Sequence, residues 1–495
     1  MLKLSKSDIR HGYNGIKRLA QKAAQKGDYE KAWGYIRHCV TLAQQFNWIY
    51  ADFELEDVLK TIGERTIPEV TSDYVPDDNR VVLYDDFHTT VILAAQYVEA
   101  LVKAGKDVLY VNFMLPYDYA QQNEMVDFIK RRYPTVKILT VPVLSKVEFI
   151  KYLYKTILDF RPSQLILHIY AYSGIVPLLY RLPKQIDKYI INLADQTFWL
   201  GASAVDYVLE FRQFGVSVSQ QRRGIKPEQQ LLVPFYPIVD ENPFQGFPKG
   251  CSDPDKVLVF SGSDIYKVLD ERRMFWHLVK RVLDTFPQVV FLFATKGDNI
   301  GMDFLHKFIT ENHYEGRFFY TKFRPDINEV LAHTDIYMGT CPASGSLMSQ
   351  LAARNATPIL QYYYPGTPDD ETEQAICYNE DFRISFQDEN DFMKEADRLV
   401  NDVFYRRAQG ERLQKAMISI DQFNDLVKNT LESNKTIVAL KPYSVDYKML
   451  DDRWFELEKM GYLSTMPYIY GLLGKKYCLR YAPVLFLKKQ LNRLL

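Results

Sequence analysis

The feature that most constrains the fold is an alternation of short apolar runs with longer amphipathic stretches, and this alternation occurs twice. Short apolar runs bounded by turn residues are typical of buried strands, and the stretches between them are long enough for crossover helices. The runs begin near Val81, Val108, Val136, Leu165 and Tyr189, and again near Val257, Val289, Phe318, Ile336 and Pro358. The pattern predicts an α/β protein with two doubly wound parallel sheets in tandem.

Residues 241–256 separate the two sets of runs and concentrate proline, glycine and aspartate, which is typical of a linker. We therefore assign residues 73–240 to a first Rossmann-like domain and residues 257–435 to a second. Since ligands of open α/β sheets lie beyond the carboxyl ends of the strands, we expect the ligand of such a pair in the cleft between the domains.

The two ends of the chain are predicted to be helical. In residues 1–72, apolar and small residues recur at helical spacing. The turn at residues 27–32 resembles the joint of a tetratricopeptide hairpin, but one hairpin is not an array, so we interpret this region as a cap on the first domain. Residues 436–495 are predicted to form a helical tail.

The tail carries basic residues among apolar ones from Gly471 onward, with no acidic residue. Such a segment is suited to an anionic membrane surface, and equally to a terminal helix that packs across the domains with a solvated basic face. The sequence leaves both interpretations open. The basic residues are Lys475, Lys476, Arg480, Lys488, Lys489 and Arg493.

Composition excludes several classes of protein. The formal net charge of the 495 residues is -1, which argues against a nucleic-acid partner. The five cysteines are far apart in the sequence and resemble reduced cytosolic thiols. The first residues lack the apolar core of a signal peptide, and residues 165–182 contain polar residues and proline, so they favour a strand and a helix over a membrane span. We expect a cytoplasmic protein, with membrane contact only through the tail.

Two small-residue turns follow predicted strands of the second domain. The first contains Ser261 to Ser263 with Lys267 close behind it, and the second contains Ser344, Gly345 and Ser346. A Gly/Ser turn that opens a helix offers backbone N–H groups to a phosphate, and a lysine adds a charge. These turns suggest a site for a diphosphate, although each alone is also consistent with an ordinary strand-to-helix corner.

In the first domain, three polar or aromatic residues follow predicted strands. His88 comes shortly after the first strand, where an imidazole could bind an acceptor hydroxyl or take its proton; it is also consistent with a capped helix start. Asp195 and Trp199 follow the fifth strand and could serve as a base and as a stacking surface for a sugar, or as a helix cap and a core residue. His168, in an apolar run, is the weaker candidate.

Several familiar motifs are absent from the sequence. No Gly-x-Gly-x-x-Gly follows the first strand, and there is no Walker loop and no His-Glu-x-x-His. Asp253 and Asp255 flank a proline in the linker, which makes them a poor metal clamp. We therefore expect neither a dinucleotide cofactor nor a metal.

The motifs of the second domain resemble those of a known family in their order and approximate spacing. They are similar to the catalytic region of the O-linked N-acetylglucosaminyltransferases and of the related bacterial adhesin N-glucosyltransferases, and the resemblance covers about residues 80–380. The motifs are Val259–Lys267, Asp335–Thr340, Pro342–Gly345, Thr357–Leu360 and Pro365–Gly366, joined in the first domain by Ala194–Gly201, Asp206–Tyr207 and Pro234–Pro237.

This resemblance implies a GT-B fold and a UDP-sugar donor bound mainly to the second domain. Lys267 matches the family's lysine that neutralises the diphosphate, and the turn at residues 344–346 matches its phosphate-binding turn. Phe323 and Arg324 fall where the family's nucleobase rests, and His88 falls near its histidine after the first strand.

The resemblance is incomplete at two places. Where the family holds the ribose, this chain has Ser349, Gln350 and Leu351, of which we assign Gln350 to the nucleotide. Gly366, from the last motif, is assigned to the substrate. The long tetratricopeptide array that presents protein acceptors in one branch is reduced to at most one hairpin.

Together these patterns predict a metal-independent glycosyltransferase that moves a hexosyl or N-acetylhexosaminyl group from a UDP-sugar to a glycan, lipid-linked or protein acceptor. His88 or Asp195 would act as base, and the nucleotide sugar would be a co-substrate with no separate cofactor. Two alternatives are a nucleotide-sugar epimerase of the same two-domain build and a non-catalytic sugar-binding subunit.

Overall fold

The computed structural model describes residues 5–68, 73–87, 93–113, 119–142, 144–171, 173–239, 241–251, 253–269, 272–296, 299–342, 344–364 and 370–458. The chain forms two compact units. The first contains residues 1–89, 97–233 and 424–495, and the second contains residues 90–96 and 234–423.

The first unit begins with three helices, which confirms the helical character predicted for this region. They are α1 (Lys6–Gln25), α2 (Tyr29–Phe46) and α3 (Phe53–Thr66). Each begins at a side-chain cap that accepts from a backbone N–H of the first turn: Ser5 in a capping box, then Asp28 and Asp52. Their apolar faces share one hydrophobic core with one face of the first sheet.

The first sheet has seven parallel strands. They are β1 (Asp77–Asp85), β2 (Asp107–Asn112), β3 (Lys137–Thr140), β4 (Pro162–His168), β5 (Asp187–Ile191), β6 (Tyr207–Glu210) and β7 (Gln230–Leu232). Their spatial order is β3-β2-β1-β4-β5-β6-β7. The connecting helices are α4 (Leu93–Lys103), α5 (Tyr119–Arg132), α6 (Lys146–Phe160), α7 (Val176–Leu179) and α8 (Gln213–Arg222).

The second sheet has six parallel strands in the order β10-β9-β8-β11-β12-β13. They are β8 (Val257–Gly262), β9 (Val289–Thr295), β10 (Phe318–Lys322), β11 (Ile336–Met338), β12 (Ile359–Tyr362) and β13 (Ser385–Phe386). The helices are α9 (Met274–Thr285), α10 (Asn299–Asn312), α11 (Ile327–Ala332), α12 (Ser346–Arg354), α13 (Glu371–Ile376), α14 (Glu389–Asn401) and α15 (Val403–Ala416).

Alternate residues of β8 and β9 enter two different hydrophobic cores, one on each face of the second sheet. Val259 and Phe291 belong to one core, and Leu258 and Val290 belong to the other. Strands that are buried on both faces read as continuous apolar runs, as the sequence shows here. The predicted doubly wound architecture is thus confirmed for both sheets.

After α15 the chain returns to the first unit with α16 (Ile420–Ser433) and helical residues 447–458. Lys6 of α1 pairs with Asp451 at 2.8 Å, and Phe455 enters the core beneath the N-terminal helices. The sequence predicts residues 424–435 in the second domain, whereas the structure places them in the first unit. An amphipathic pattern specifies a buried face but not the sheet that covers it. The basic segment from Gly471 lies outside the described residues.

None of the described helices is both long and apolar enough to cross a membrane.

Candidate active site

The strand order of the second sheet reverses between β8 and β11, which lie side by side. Their register pairs Val259 with Ile336 and Phe260 with Tyr337. Because both strands run in the same direction and neighbouring strands are about 4.8 Å apart, the turns that follow them leave the same edge of the sheet next to each other. This reversal is where open α/β sheets bind their ligands.

The turn after β8 carries Lys267. Gly262 ends the strand, and a Cβ atom at this position would lie 3.2 Å from the Cβ of Ala294, so the chain here passes close to β9. Lys267 lies in a short 3-10 helix, Ile265–Val268, and its side chain is exposed. A cationic side chain therefore extends from the strand end at the point of reversal.

The turn after β11 leads into α12 through Ser344 and Gly345, the residue that precedes the helix. The first amide groups of a helix have no acceptor within that helix, so this end can hold an anion.

Below the turn, the Tyr337 hydroxyl and the Ser349 hydroxyl are buried, and neither has a hydrogen-bond partner in the part of the chain that the structure describes. A small, open recess lies beside this turn. Its lining includes Thr340, Pro342, Ser344, Tyr363, Tyr364 and Thr372.

Gly339 at the end of β11 allows a close approach to Gln361 of β12. The amide nitrogen of Gln361 donates to the carbonyl of Thr340 at 3.0 Å and to that of Tyr362 at 2.6 Å. A Cβ atom at position 339 would lie 1.7 Å from the amide oxygen of Gln361. Glycine is therefore required for the strand ends around the recess to keep this arrangement.

Replacing Gly339 with alanine should lower the free energy of unfolding by roughly 1–3 kcal/mol, because the buried Gln361 must move to make room. Gly34 offers a matched control. It lies in α2, where a Cβ atom would have no neighbour within 4 Å, so Gly34→Ala should leave stability unchanged or raise it by about 0.5–1 kcal/mol. Urea unfolding of both variants measures the difference, and equal effects would contradict the requirement for glycine.

Phe323 and Arg324 follow β10 at the same edge of the sheet. The Phe323 ring is 41% exposed, and the Lys296 ammonium lies 6.0 Å from its centre. Arg324 instead forms a two-point ion pair with Asp326, at 2.7 and 2.5 Å, and donates to the carbonyl of Gly246 in the linker at 2.8 Å. Burial alone would raise the pKa of Asp326, but hydrogen bonds from Arg324 and from the Gln245 N–H lower it. Phe323 is thus open to a ligand, whereas Arg324 anchors the linker.

Gln350 is buried in α12. Its side-chain nitrogen donates to the carbonyl of Ala375 at 2.7 Å and to that of Phe235 at 3.3 Å. Glu373 of α13 is also buried and accepts from the N–H groups of Ile384 and Ser385, at 2.9 and 2.8 Å, and burial raises its pKa. Gln350 thus holds α13, whose Glu371 and Thr372 line the recess, and Glu373 holds Ser385, which also lines it.

In the first unit, the strand order reverses between β1 and β4, and polar residues end both strands. Asp85 pairs in register with His168 on one side and with Asn112 on the other. His168 Nδ1 lies 2.7 Å from Asp85 Oδ1, and the Tyr110 hydroxyl donates to Asp85 Oδ2. All three strand-end side chains are at most 1% exposed. His88, the predicted residue after β1, lies outside the described residues.

The loop after β5 holds Asp195 and Trp199 in a buried polar network. Both carboxylate oxygens of Asp195 accept from Arg212, at 2.6 and 2.7 Å, and Asp195 is fully buried. The indole N–H of Trp199 donates to Asn192 at 3.1 Å, and the Arg223 guanidinium lies 5.1 Å from the indole ring. These contacts occupy the groups that a base or a sugar-stacking surface would need to present.

Glu56 of α3 fixes the end of the same loop. Its carboxylate accepts from the N–H groups of Gly201, Ala202 and Ser203, at 2.9, 3.0 and 2.8 Å. The N-terminal helices therefore position a loop at the carboxyl edge of the first sheet.

Among the described residues, no group of three or more histidine, cysteine, aspartate or glutamate side chains is placed to hold a metal ion.

Comparison with known proteins gives a match in structure but not in sequence. No protein-family model matches the chain, and no curated protein matches it. The HepE protein of Anabaena, in complex with UDP and glucose, aligns with a TM-score of 0.52 at 12% identity over 71% of this chain and 99% of its own. A mutant O-GlcNAc transferase of Thermobaculum terrenum aligns with a TM-score of 0.52 at 12% identity, over 90% of this chain and 85% of its own. The chain has a GT-B fold.

A glycosyltransferase of Rickettsia africae matches the same GT-B fold with a TM-score of 0.52 at 9% identity, over 72% of this chain and 98% of its own. The GT-B architecture explains why the predicted turns come together: Lys267 and the turn at residues 344–346 follow the two strands at the reversal of the second sheet. Gly366 lies outside the described residues.

Three residues of the GT-B first domain were not among the predicted site residues: Asp85, Tyr110 and Asn112. A signal for two of them is present in the sequence, because Asp85 and Asn112 each interrupt an apolar run at the carboxyl end of its strand. The pairing of Asp85 with His168 required the strand order, which brings β1 beside β4.

Proposed function

We propose that this protein is a glycosyltransferase that uses a UDP-sugar donor and an acceptor hydroxyl or amide on a glycan, lipid-linked sugar or protein. The observation that carries the proposal is the placement of Lys267 and of the turn at residues 344–346 after adjacent strands, at the reversal of the second sheet. A cation beside a helix start is suited to a diphosphate. The UDP in the HepE structure and the family resemblance of the motifs support UDP over other nucleotides.

In this proposal, the second unit binds the donor. The diphosphate lies between Lys267 and the first amide groups of α12, and the exposed ring of Phe323 stacks on the base. Negative charge grows on the diphosphate as its bond to the sugar breaks, so a fixed cation and fixed N–H dipoles stabilise the transition state more than the bound substrate. Lys267 is therefore the proposed catalytic residue of the donor side.

The first unit supplies the acceptor side of the proposal. His88 remains a proposed base. For Asp195 and Trp199 we propose a positioning role, since Arg212 and Asn192 already bind their polar groups. Gln350 likewise supports the nucleotide through the backbone carbonyls that it holds rather than by contact. Gly366 stays a proposed substrate contact, and the basic tail a proposed membrane contact.

A thermal-shift panel tests the donor class. UDP at a hundred times its dissociation constant should raise the free energy of unfolding by about 2.7 kcal/mol and therefore raise the Tm. GDP, ADP and NAD at the same concentration should raise the Tm by less. Equal shifts for all four nucleotides, or none, would remove the support for a UDP-sugar donor.

Incubation with a UDP-sugar alone separates the proposal from its rivals. A glycosyltransferase releases UDP when an acceptor or water takes the sugar. An epimerase converts the sugar and keeps it attached to UDP, and a binding subunit leaves the UDP-sugar unchanged. Chromatography of the nucleotide products distinguishes the three results.

A further inference from the structure

The carboxyl edge of the first sheet carries a row of three buried polar side chains: Asn112, Asp85 and His168, in register across β2, β1 and β4. Asn112 and Asp85 are fully buried, and His168 is 1% exposed. Paired residues of parallel strands point to the same face of a sheet, so the three side chains lie next to one another.

Three polar atoms of this row are buried without a partner among the described residues. They are the nitrogen and the oxygen of the Asn112 amide and Nε2 of His168. Buried polar atoms without partners destabilise a protein, and native structures retain few of them unless a water molecule or a ligand binds there. Three such atoms side by side indicate a polar ligand.

Asp85 determines which hydrogen bond His168 can make. The Asp85 carboxylate accepts from the Tyr110 hydroxyl and from the Phe87 N–H at 3.1 Å, and lies 2.7 Å from His168 Nδ1. Since a carboxylate accepts hydrogen bonds, Nδ1 of His168 carries a proton, and in the neutral imidazole Nε2 then presents a lone pair. The imidazole is thus oriented to accept a hydrogen bond from a hydroxyl group. Two buried tyrosines are titratable groups near this pair: the Tyr110 hydroxyl donates to Asp85, and Tyr84 interacts electrostatically with it.

We infer that this row is a hydroxyl-binding subsite for the sugar acceptor, in which Asn112 binds the acceptor and Nε2 of His168 takes its proton. The inference rests on the proposed function. In the step, the acceptor oxygen bonds to the anomeric carbon, the bond from that carbon to the diphosphate breaks with its electron pair leaving on UDP, and the hydroxyl proton moves to Nε2. The adjacent Asp85 carboxylate stabilises the imidazolium that forms.

The first test measures UDP release from UDP-glucose and UDP-N-acetylglucosamine, with water as the hydroxyl probe. His168→Gln should lower the rate about a hundredfold or more, with the UDP-induced thermal shift unchanged. His306 of α10, an exposed histidine of the second unit, is the control, and His306→Gln should keep the wild-type rate. A His168→Gln rate within threefold of wild type would overturn the inference.

The role of Asp85 is tested by separating kcat from KM in the same reaction. Asp85→Asn removes the carboxylate charge that lies 2.7 Å from His168 Nδ1 and accepts from the Tyr110 hydroxyl, so it should lower kcat roughly tenfold or more and leave the KM for the UDP-sugar within about twofold of the wild-type value. A wild-type kcat in Asp85→Asn would overturn the positioning role.

A second variant keeps the inference testable should His168→Gln fail to fold. Leucine has nearly the shape of asparagine and no polar atoms, so Asn112→Leu should raise the Tm by roughly 2 °C or more while it lowers the rate of UDP release. A lower Tm with an unchanged rate would mean that the row binds only structural water.

Wild-type protein that binds UDP but releases none would overturn the proton transfer. Wild-type protein that neither binds UDP nor releases it would instead refute the proposed function.

Discussion

Lys267→Ala should lower the turnover of the proposed sugar transfer about a hundredfold or more, because the variant loses a cation where negative charge would develop in the transition state. The effect should fall mainly on kcat, since the charge on the leaving diphosphate is larger in the transition state than in the bound donor. Steady-state kinetics of UDP release from the UDP-sugar that gives the largest thermal shift would measure it.

The control for this experiment is Lys307→Ala. Lys307 is an exposed residue of α10, 71% exposed, and its removal changes the net charge by the same amount. We expect its turnover to stay near that of the wild type. Near-normal turnover in Lys267→Ala would contradict the assignment of the diphosphate to this edge of the second sheet.

Asp195→Ala should lower the free energy of unfolding by about 3–5 kcal/mol, which is a large share of the stability of a typical domain. The variant leaves the buried guanidinium of Arg212 without the two carboxylate oxygens that it now binds. A buried charge without its partner is far more destabilising than the loss of an exposed ion pair. Denaturant unfolding followed by circular dichroism would measure the change.

Glu311→Ala provides the comparison for Asp195→Ala. Glu311 pairs with Lys307 at 3.6 Å on the surface, where such pairs contribute about 0–1 kcal/mol. If Asp195→Ala were as stable as this variant but lost turnover, Asp195 would be a catalytic base, as its sequence position first suggests, and not part of the framework.

The sequence was sufficient to predict strands that are long and apolar. The runs at Val81, Val108, Val257 and Val289 each correspond to a strand buried in the sheet. Strands β6, β7 and β13, of four, three and two residues, were missed. Strands β3, β11 and β12 have only three or four residues but were predicted, because each lies in an apolar run between polar stretches. A short strand is thus readable only where its own pattern stands out, and is otherwise defined by its neighbours in the sheet.

The placement of the candidate residues was predictable where the pattern is local. That Lys267 and the turn at residues 344–346 follow strands could be predicted, because a small-residue turn after a strand is a local signal. Their part in binding a nucleotide stays a prediction. The environment of Asp195 was not predictable, because it depends on Arg212 and Arg223, which are distant in the sequence and reach it only through the packing of α8. The sequence shows that a carboxylate follows a strand, but not whether an arginine will neutralise it.

The contact between Glu56 and the backbone at residues 201–203 has a consequence for evolution and for protein engineering. The amino-terminal helical segment is not an interchangeable module, because one of its carboxylates holds a loop at the carboxyl edge of the first sheet. Replacing this segment with that of another protein of GT-B fold would release a loop more than a hundred positions away in the chain, unless the new segment brought its own acidic residue to the same three amides.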